Sequence, residues 1–206
     1  MMQFTQQFIQ QLITTSALEW FAVILAVAYL LLAIKESLWC WPAAFASTAI
    51  YIILFFDVNL YMESFLNLYY LIMAIYGWSQ WNKINHQSPQ KSILIWPFKK
   101  HLILIGLTTL LVFVSAYFLN KYTNQDFALI DSLTTWFAVL ATYMVTQKVL
   151  ENWIYWIIID AISIYLYLSK GFALTAVLFL SYIILAFIGW KTWKRRYERQ
   201  LSQTNS

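Results

Sequence analysis

Glu151-Asn152-Trp153-Ile154-Tyr155-Trp156-Ile157-Ile158-Ile159-Asp160-Ala161-Ile162-Ser163-Ile164-Tyr165-Leu166-Tyr167-Leu168-Ser169-Lys170-Gly171 is an apolar stretch of membrane-spanning length with a carboxylate near its middle. A charge at bilayer depth costs between ~2.5 and well over 10 kcal/mol depending on the reference. It persists mainly where it faces a protein interior or an aqueous cavity. At about 100° per residue, Asn152, Trp156, Asp160, Ser163 and Tyr167 share one helix face, with Trp153 flanking it. One stripe thus combines indoles, a carboxylate and a hydroxyl.

The rest of the chain fits a membrane setting. Of 206 residues, 62% are hydrophobic and 11% charged, against about 25% charged in soluble domains. Met1–Leu18 has neither a basic n-region nor a small-residue cleavage pattern, so the first helix is expected to stay in the mature protein. Cys40, the single cysteine, has no intramolecular disulfide partner. No His, Cys and carboxylate cluster has metal-ligand spacing, so neither a metal nor another cofactor is expected. His86 and His101 fall in or beside one polar loop, where a solvated or headgroup role is expected.

Met1–Ser16, rich in Gln and Thr, reads as an interfacial helix or frayed tail. Spans of about 20 apolar residues then recur at roughly 17–34, 38–56, 61–81, 102–120, 130–148, 152–169 and 172–193. The expectation is an all-α integral membrane protein with seven transmembrane helices, forming one domain over 1–206. Lys35, Lys83, Lys91, Lys99, Lys100, Lys148, Lys191, Lys194, Arg195, Arg196 and Arg199 fall on one side of the membrane; only Lys121 and Lys170 fall on the other. Basic residues accumulate on the cytoplasmic side of short loops. The amino terminus is therefore expected outside and the carboxyl terminus inside. This partition also accounts for the formal charge of +4, so no nucleic-acid partner is expected.

An internal repeat runs through the chain. Trp20-Phe21-Ala22-Val23 recurs as Trp136-Phe137-Ala138-Val139, and Gly77-Trp78-Ser79-Gln80-Trp81 recurs as Gly189-Trp190-Lys191-Thr192-Trp193. Between these anchors, Glu36 through Trp41 roughly matches Glu151 through Trp156. Each repeat holds three helices, 17–81 and 130–193, and consecutive odd-numbered repeats would be inverted unless a further helix intervened. Helix 102–120 supplies that crossing. The expected architecture is 3+1+3, with parallel repeats related by an axis along the membrane normal, as in the SWEET class, and a substrate site near the midplane between them.

Candidate site residues lie on three helices. Glu63, Asn67 and Tyr70 share a face of the third span. Glu63 also suits a helix amino terminus, where acidic residues complement the macrodipole, and Asn67 suits interhelical bonding as well as ligand contact. Thr48 and Tyr51, with Ser47, lie in the repeat-related neighbourhood of Asp160; membrane Ser and Thr usually bond back to their own helix carbonyls. Asn152, Trp153, Trp156, Asp160 and Ser163 complete the set. Indole faces offer cation–π and stacking contacts, and a carboxylate offers charge compensation, which suits a flat aromatic organic cation. No Lys or Arg lies inside a span to hold a phosphate.

Glu151-Asn152-Trp153-Ile154-Tyr155-Trp156 with Asp160, Lys170-Gly171 and Tyr76-Gly77-Trp78-Ser79-Gln80-Trp81 resembles the PnuC family of bacterial vitamin transporters over nearly the whole chain. The resemblance implies a 3+1+3 fold in the bacterial cytoplasmic (inner) membrane. It also implies facilitated diffusion of a cationic vitamin, with a cytosolic kinase phosphorylating and so retaining it. Members of the family typed as nicotinamide riboside carriers resemble Trp-x-x-Trp followed three residues later by Asn. This chain has Trp153-x-x-Trp156-x-x-x-Asp160 and is more similar to the thiamine-carrying PnuT branch. An acceptor-only carboxylate fits thiamine, with its thiazolium and exocyclic amine; an amide reads the ribose hydroxyls of nicotinamide riboside.

The expected function is therefore thiamine uniport, with nicotinamide riboside transport as the alternative. Proton-coupled vitamin transport through Asp160 is a further possibility. A membrane enzyme would need a nucleophile and base, or a His paired with a carboxylate, inside the spans. No catalytic residue is assigned. The lipid bilayer and the vitamin are the expected partners, and a homo-oligomer is compatible with the sequence.

Overall fold

The computed structural model describes residues 15–57, 61–87, 93–122, 127–169 and 172–204. The expected segment Met1–Ser16 falls almost wholly outside them. Within them run α1 (Ala17–Ile34), α2 (Cys40–Asp57), α3 (Tyr61–Gln87), α4 (Phe98–Tyr122), α5 (Ala128–Thr146), α6 (Asn152–Ser169) and α7 (Ala173–Thr204). Five of these, α1, α4, α5, α6 and α7, are long and apolar enough to cross a membrane, and α2 contains a shorter apolar stretch, Cys40–Leu54. The protein is an all-helical, multi-pass membrane protein.

Local chemistry sets the helix ends. Ser16 caps α1 by accepting the amide of Glu19 at 3.1 Å, which satisfies one of the orphan donors of the first turn. At the other end Glu36 adopts φ 54°. The Glu36 amide bonds Ala33 O at 2.9 Å and the Ser37 amide bonds Leu32 O at 2.9 Å. Helix α5 ends in the same way. Lys148 has φ 51°, its amide bonds Val145 O and the Val149 amide bonds Met144 O, both at 3.0 Å. Both are Schellman stops, built on side-chain-bearing residues where Gly is usual. The span expected to run to residue 148 therefore stops at Thr146.

Glu36 and Lys148 lie 112 positions apart. The same displacement carries the end of α1 at Ile34 to the end of α5 at Thr146, all of α2 onto α6, and the start of α3 at Tyr61 to the start of α7 at Ala173. This register corrects part of the sequence match. Trp41 corresponds to Trp153, not Trp156, and Trp20 does not correspond to Trp136. Trp20 is exposed, whereas Trp136 donates its indole N–H to Ser115 Oγ at 3.0 Å.

Two seats explain why the register is fixed. A Cβ on Gly77 would overlap the six-membered ring of Trp41, and one on Gly189 would lie 2.8 Å from the indole of Trp153. Each seated indole then meets a second one edge-on, Trp41 with Trp81 at 5.3 Å and Trp153 with Trp193 at 5.4 Å between centroids. Small residues that let backbones approach are the usual basis of helix association in lipid.

In packing order, α2 lies between α1 and α3, and α6 between α5 and α7. Contacts of α3 with α5 and of α7 with α1 close the six helices into a ring, and α4 packs on α5 outside it. The segment before α4 is tied down by Leu94, whose amide bonds Lys148 O at 3.0 Å and whose carbonyl accepts the Leu150 amide at 2.8 Å. His101 on α4 is buried, not solvated as expected, and its Nδ1 lies 2.9 Å from the Tyr155 hydroxyl.

Gly77→Ala and Gly189→Ala should each lower stability by about 1–3 kcal/mol, the range for overpacking a filled site. Gly77→Ala should cost more, because its overlap is closer. Thermal unfolding of the purified protein in detergent checks both; unchanged melting would mean that the indoles are not seated as described.

Candidate functional site

Asp160 lies at the middle of α6 and is 3% exposed. It has no hydrogen-bond or ion-pair partner among the described residues. Tyr70 on α3 and Tyr182 on α7 are close enough to feel its charge, and Tyr51 on α2 neighbours Tyr182 in the same sense. The carboxylate is therefore within electrostatic range of residues on both α3 and α7.

Trp156 stands one turn before Asp160. It packs with Tyr70, Tyr155 and Phe137 against Ala138, Ala141 and Ile159, the residue next to Asp160. Ser163 is buried one turn beyond. Asn67 is buried one turn before Tyr70 on α3. Thr48 occupies in α2 the position that Asp160 occupies in α6. Its hydroxyl bonds back to Ala44 O at 2.8 Å and Phe45 O at 3.1 Å, so its donor is spent on its own helix.

Two expected members lie elsewhere. Trp153 is 1% exposed and belongs to the indole cluster of the ring end, with Trp41, Trp81 and Trp193. Asn152, fully buried at the first residue of α6, donates Nδ2 to Val149 O at 2.6 Å. Its Oδ1 and the Trp153 indole N–H lack partners among the described residues. Both residues sit about two turns from Asp160 along α6, and Trp156, which packs against both clusters, stands between them. The side chain of Glu63 lies outside the described residues.

Helix-face reasoning does not reach Tyr182, and it reaches Tyr70 only as a neighbour of Asn67. The signal that finds both is the 112-residue displacement, which relates Tyr70 to Tyr182. Chemically, the described residues named around Asp160 offer a carboxylate, an indole face and phenols, none of them cationic. Such a set compensates positive charge and stacks on a flat ring. Among the described residues no cluster of His, Cys, Asp and Glu is suited to a metal ion.

Comparison with known proteins agrees with this architecture. The crystal structure of the vitamin B3 transporter PnuC superposes with a TM-score of 0.75 at 16% identity, covering 97% of this chain and 90% of that one. The nicotinamide riboside transporter PnuC of Escherichia coli (strain K12) is 28% identical over 162 residues, a match spanning 66% of each chain and thus just under two thirds of that relative. The riboflavin/roseoflavin transporter RibM of Streptomyces davaonensis is 24% identical over 183 residues, covering 85% of this chain and 84% of that protein. Residues 16–195 match the family model described as nicotinamide mononucleotide transporter, and the chain therefore belongs to that family, the PnuC family.

Proposed function

We propose that this protein is a facilitative transporter that carries thiamine down its gradient into the cytoplasm. The observation that carries this reading is the buried Asp160 carboxylate, unpartnered among the described residues, one helical turn beyond Trp156 and within electrostatic range of Tyr70. A buried, uncompensated charge is destabilising, and proteins retain such features chiefly where function uses them. A flat aromatic cation supplies the missing charge and a ring for the indole. In this reading Trp156, Asp160, Ser163, Tyr51 and Asn67 contact the ligand, whereas Trp153, Asn152 and Thr48 hold the helices.

The six-helix ring is two parallel three-helix repeats joined by α4, supported by the constant displacement between corresponding elements. The distribution of basic residues supports a cytoplasmic carboxyl terminus. Retention of the vitamin falls to a cytosolic kinase, since net accumulation of a fixed cation needs a driving ion, a membrane potential or removal of the substrate. Nicotinamide riboside, also cationic, is the second reading, favoured by the similarity to the E. coli protein of that name.

Asp160→Asn removes the charge without changing shape. Thiamine affinity should fall about tenfold or more, a loss above ~1.4 kcal/mol in a dry site, read by isothermal calorimetry. The ligand-free mutant should melt at or above the wild-type temperature. A fall of several degrees, at roughly 2–4 °C per kcal/mol for a chain of this size, would make the carboxylate a structural partner.

In proteoliposomes without kinase and at zero membrane potential, labelled thiamine should equilibrate faster than through bare lipid, with no overshoot under a pH or sodium gradient. An overshoot that collapses with an ionophore would make Asp160 a coupling residue.

A further inference from the structure

At the end of the ring that holds the α1–α2 and α5–α6 turns, the two helical triplets are joined by contacts between corresponding residues. The Trp81 indole donates to Val145 O at 3.0 Å, and the Trp193 indole donates to Ala33 O at 3.1 Å. These bonds are the same bond made twice, each triplet donating to the other. The Trp81 and Trp193 rings lie 6.1 Å apart, and Lys148 Nζ lies 3.2 Å from Glu36 Oε2. Two residues that occupy corresponding positions can touch only where the relation between the halves passes between them. Both pairs therefore sit on the central line of the ring, the line along which a solute leaving the interior would travel.

We infer that this set is a gate, shut here, which closes the basic end of the path through a pair of exchanged indole bonds and one buried ion pair. Every member bridges the two triplets. Glu36 on the first triplet also accepts from Arg196 on α7 at 2.8 Å, and Lys148 also donates to Asn85 on α3 at 3.0 Å. Parting the triplets at this end breaks all these contacts together, so they form and break as one unit, as a gate requires.

The shut state is not deep. Lys148 is 1% exposed, and burial pushes its ammonium below the ordinary lysine range while Glu36 opposes that shift. The indole N–H groups of Trp41 and Trp153 are buried without partners among the described residues. Unsatisfied donors of this kind count against the arrangement that buries them.

The inference rests on the transporter reading but not on which vitamin is carried. Cys40, the single cysteine of the chain, is its built-in reporter: it is fully buried at the start of α2 and lies within electrostatic range of Lys148. Labelling by N-ethylmaleimide, without any substrate, measures how often the basic end opens. Glu36→Gln and Trp193→Phe should each speed Cys40 labelling at least about tenfold at a temperature well below their unfolding midpoints. Glu151→Gln, which loosens a contact with His101 at the same end (3.9 Å) without joining the triplets, should label at the wild-type rate.

A structural role alone would tie labelling to global unfolding. Wild-type labelling rates in Glu36→Gln and Trp193→Phe, or an equal rise in Glu151→Gln, would overturn the gate. Failure of thiamine to bind would leave these rates untouched, so the two readings fail separately.

Discussion

Helices in a bilayer gain nothing by hiding apolar surface from one another, because the surrounding lipid is equally apolar. Association here depends on close approach at two glycines. Gly77 receives the face of Trp41 and Gly189 receives the face of Trp153. Each seat places α2 on α3 and α6 on α7 at a fixed height, and the height decides everything above and below. Below, it brings Trp81 and Trp193 together with the carbonyls of the opposite triplet. Above, it keeps Asp160 within electrostatic range of Tyr70 and Tyr182.

Much of this was legible in the sequence because it follows from the solvent. A chain that must satisfy its backbone in lipid forms helices of spanning length, and the apolar runs marked them. The carboxylate stood out because charge is costly there. The register of the repeat was legible only in part. Gly77-Trp78 and Gly189-Trp190 aligned correctly, since the seat needs glycine. The match of Glu36 with Glu151 did not survive: a Schellman stop needs a residue in the left-handed conformation, and here Glu in one half and Lys in the other fill that position. Opposite charges at these two corresponding helix stops escape identity matching. They are also what allows the two to pair.

The slipped register had a cost at the site. Setting Trp41 against Trp156 hides the correspondence of Tyr70 with Tyr182, and the helix face alone does not show that Trp153 fills the indole cluster at the ring end. The burial of His101 was equally hidden, because it depends on a hydroxyl, that of Tyr155, reached only after α4 folds back against the ring. Helix faces were thus readable, whereas depth along a face required the packing.

The central claim is that the interior is matched to a positively charged aromatic ligand. Thermal unfolding of the purified protein with thiamine or with riboflavin, a flat ligand without that charge, tests it most directly, since a ligand that binds only the folded state stabilises in proportion to its affinity. At about 100 times its dissociation constant a ligand adds ~2.7 kcal/mol. Thiamine should therefore raise the midpoint by roughly 5 °C or more, and riboflavin at equal concentration should leave it unchanged. A rise with riboflavin and none with thiamine would contradict the account.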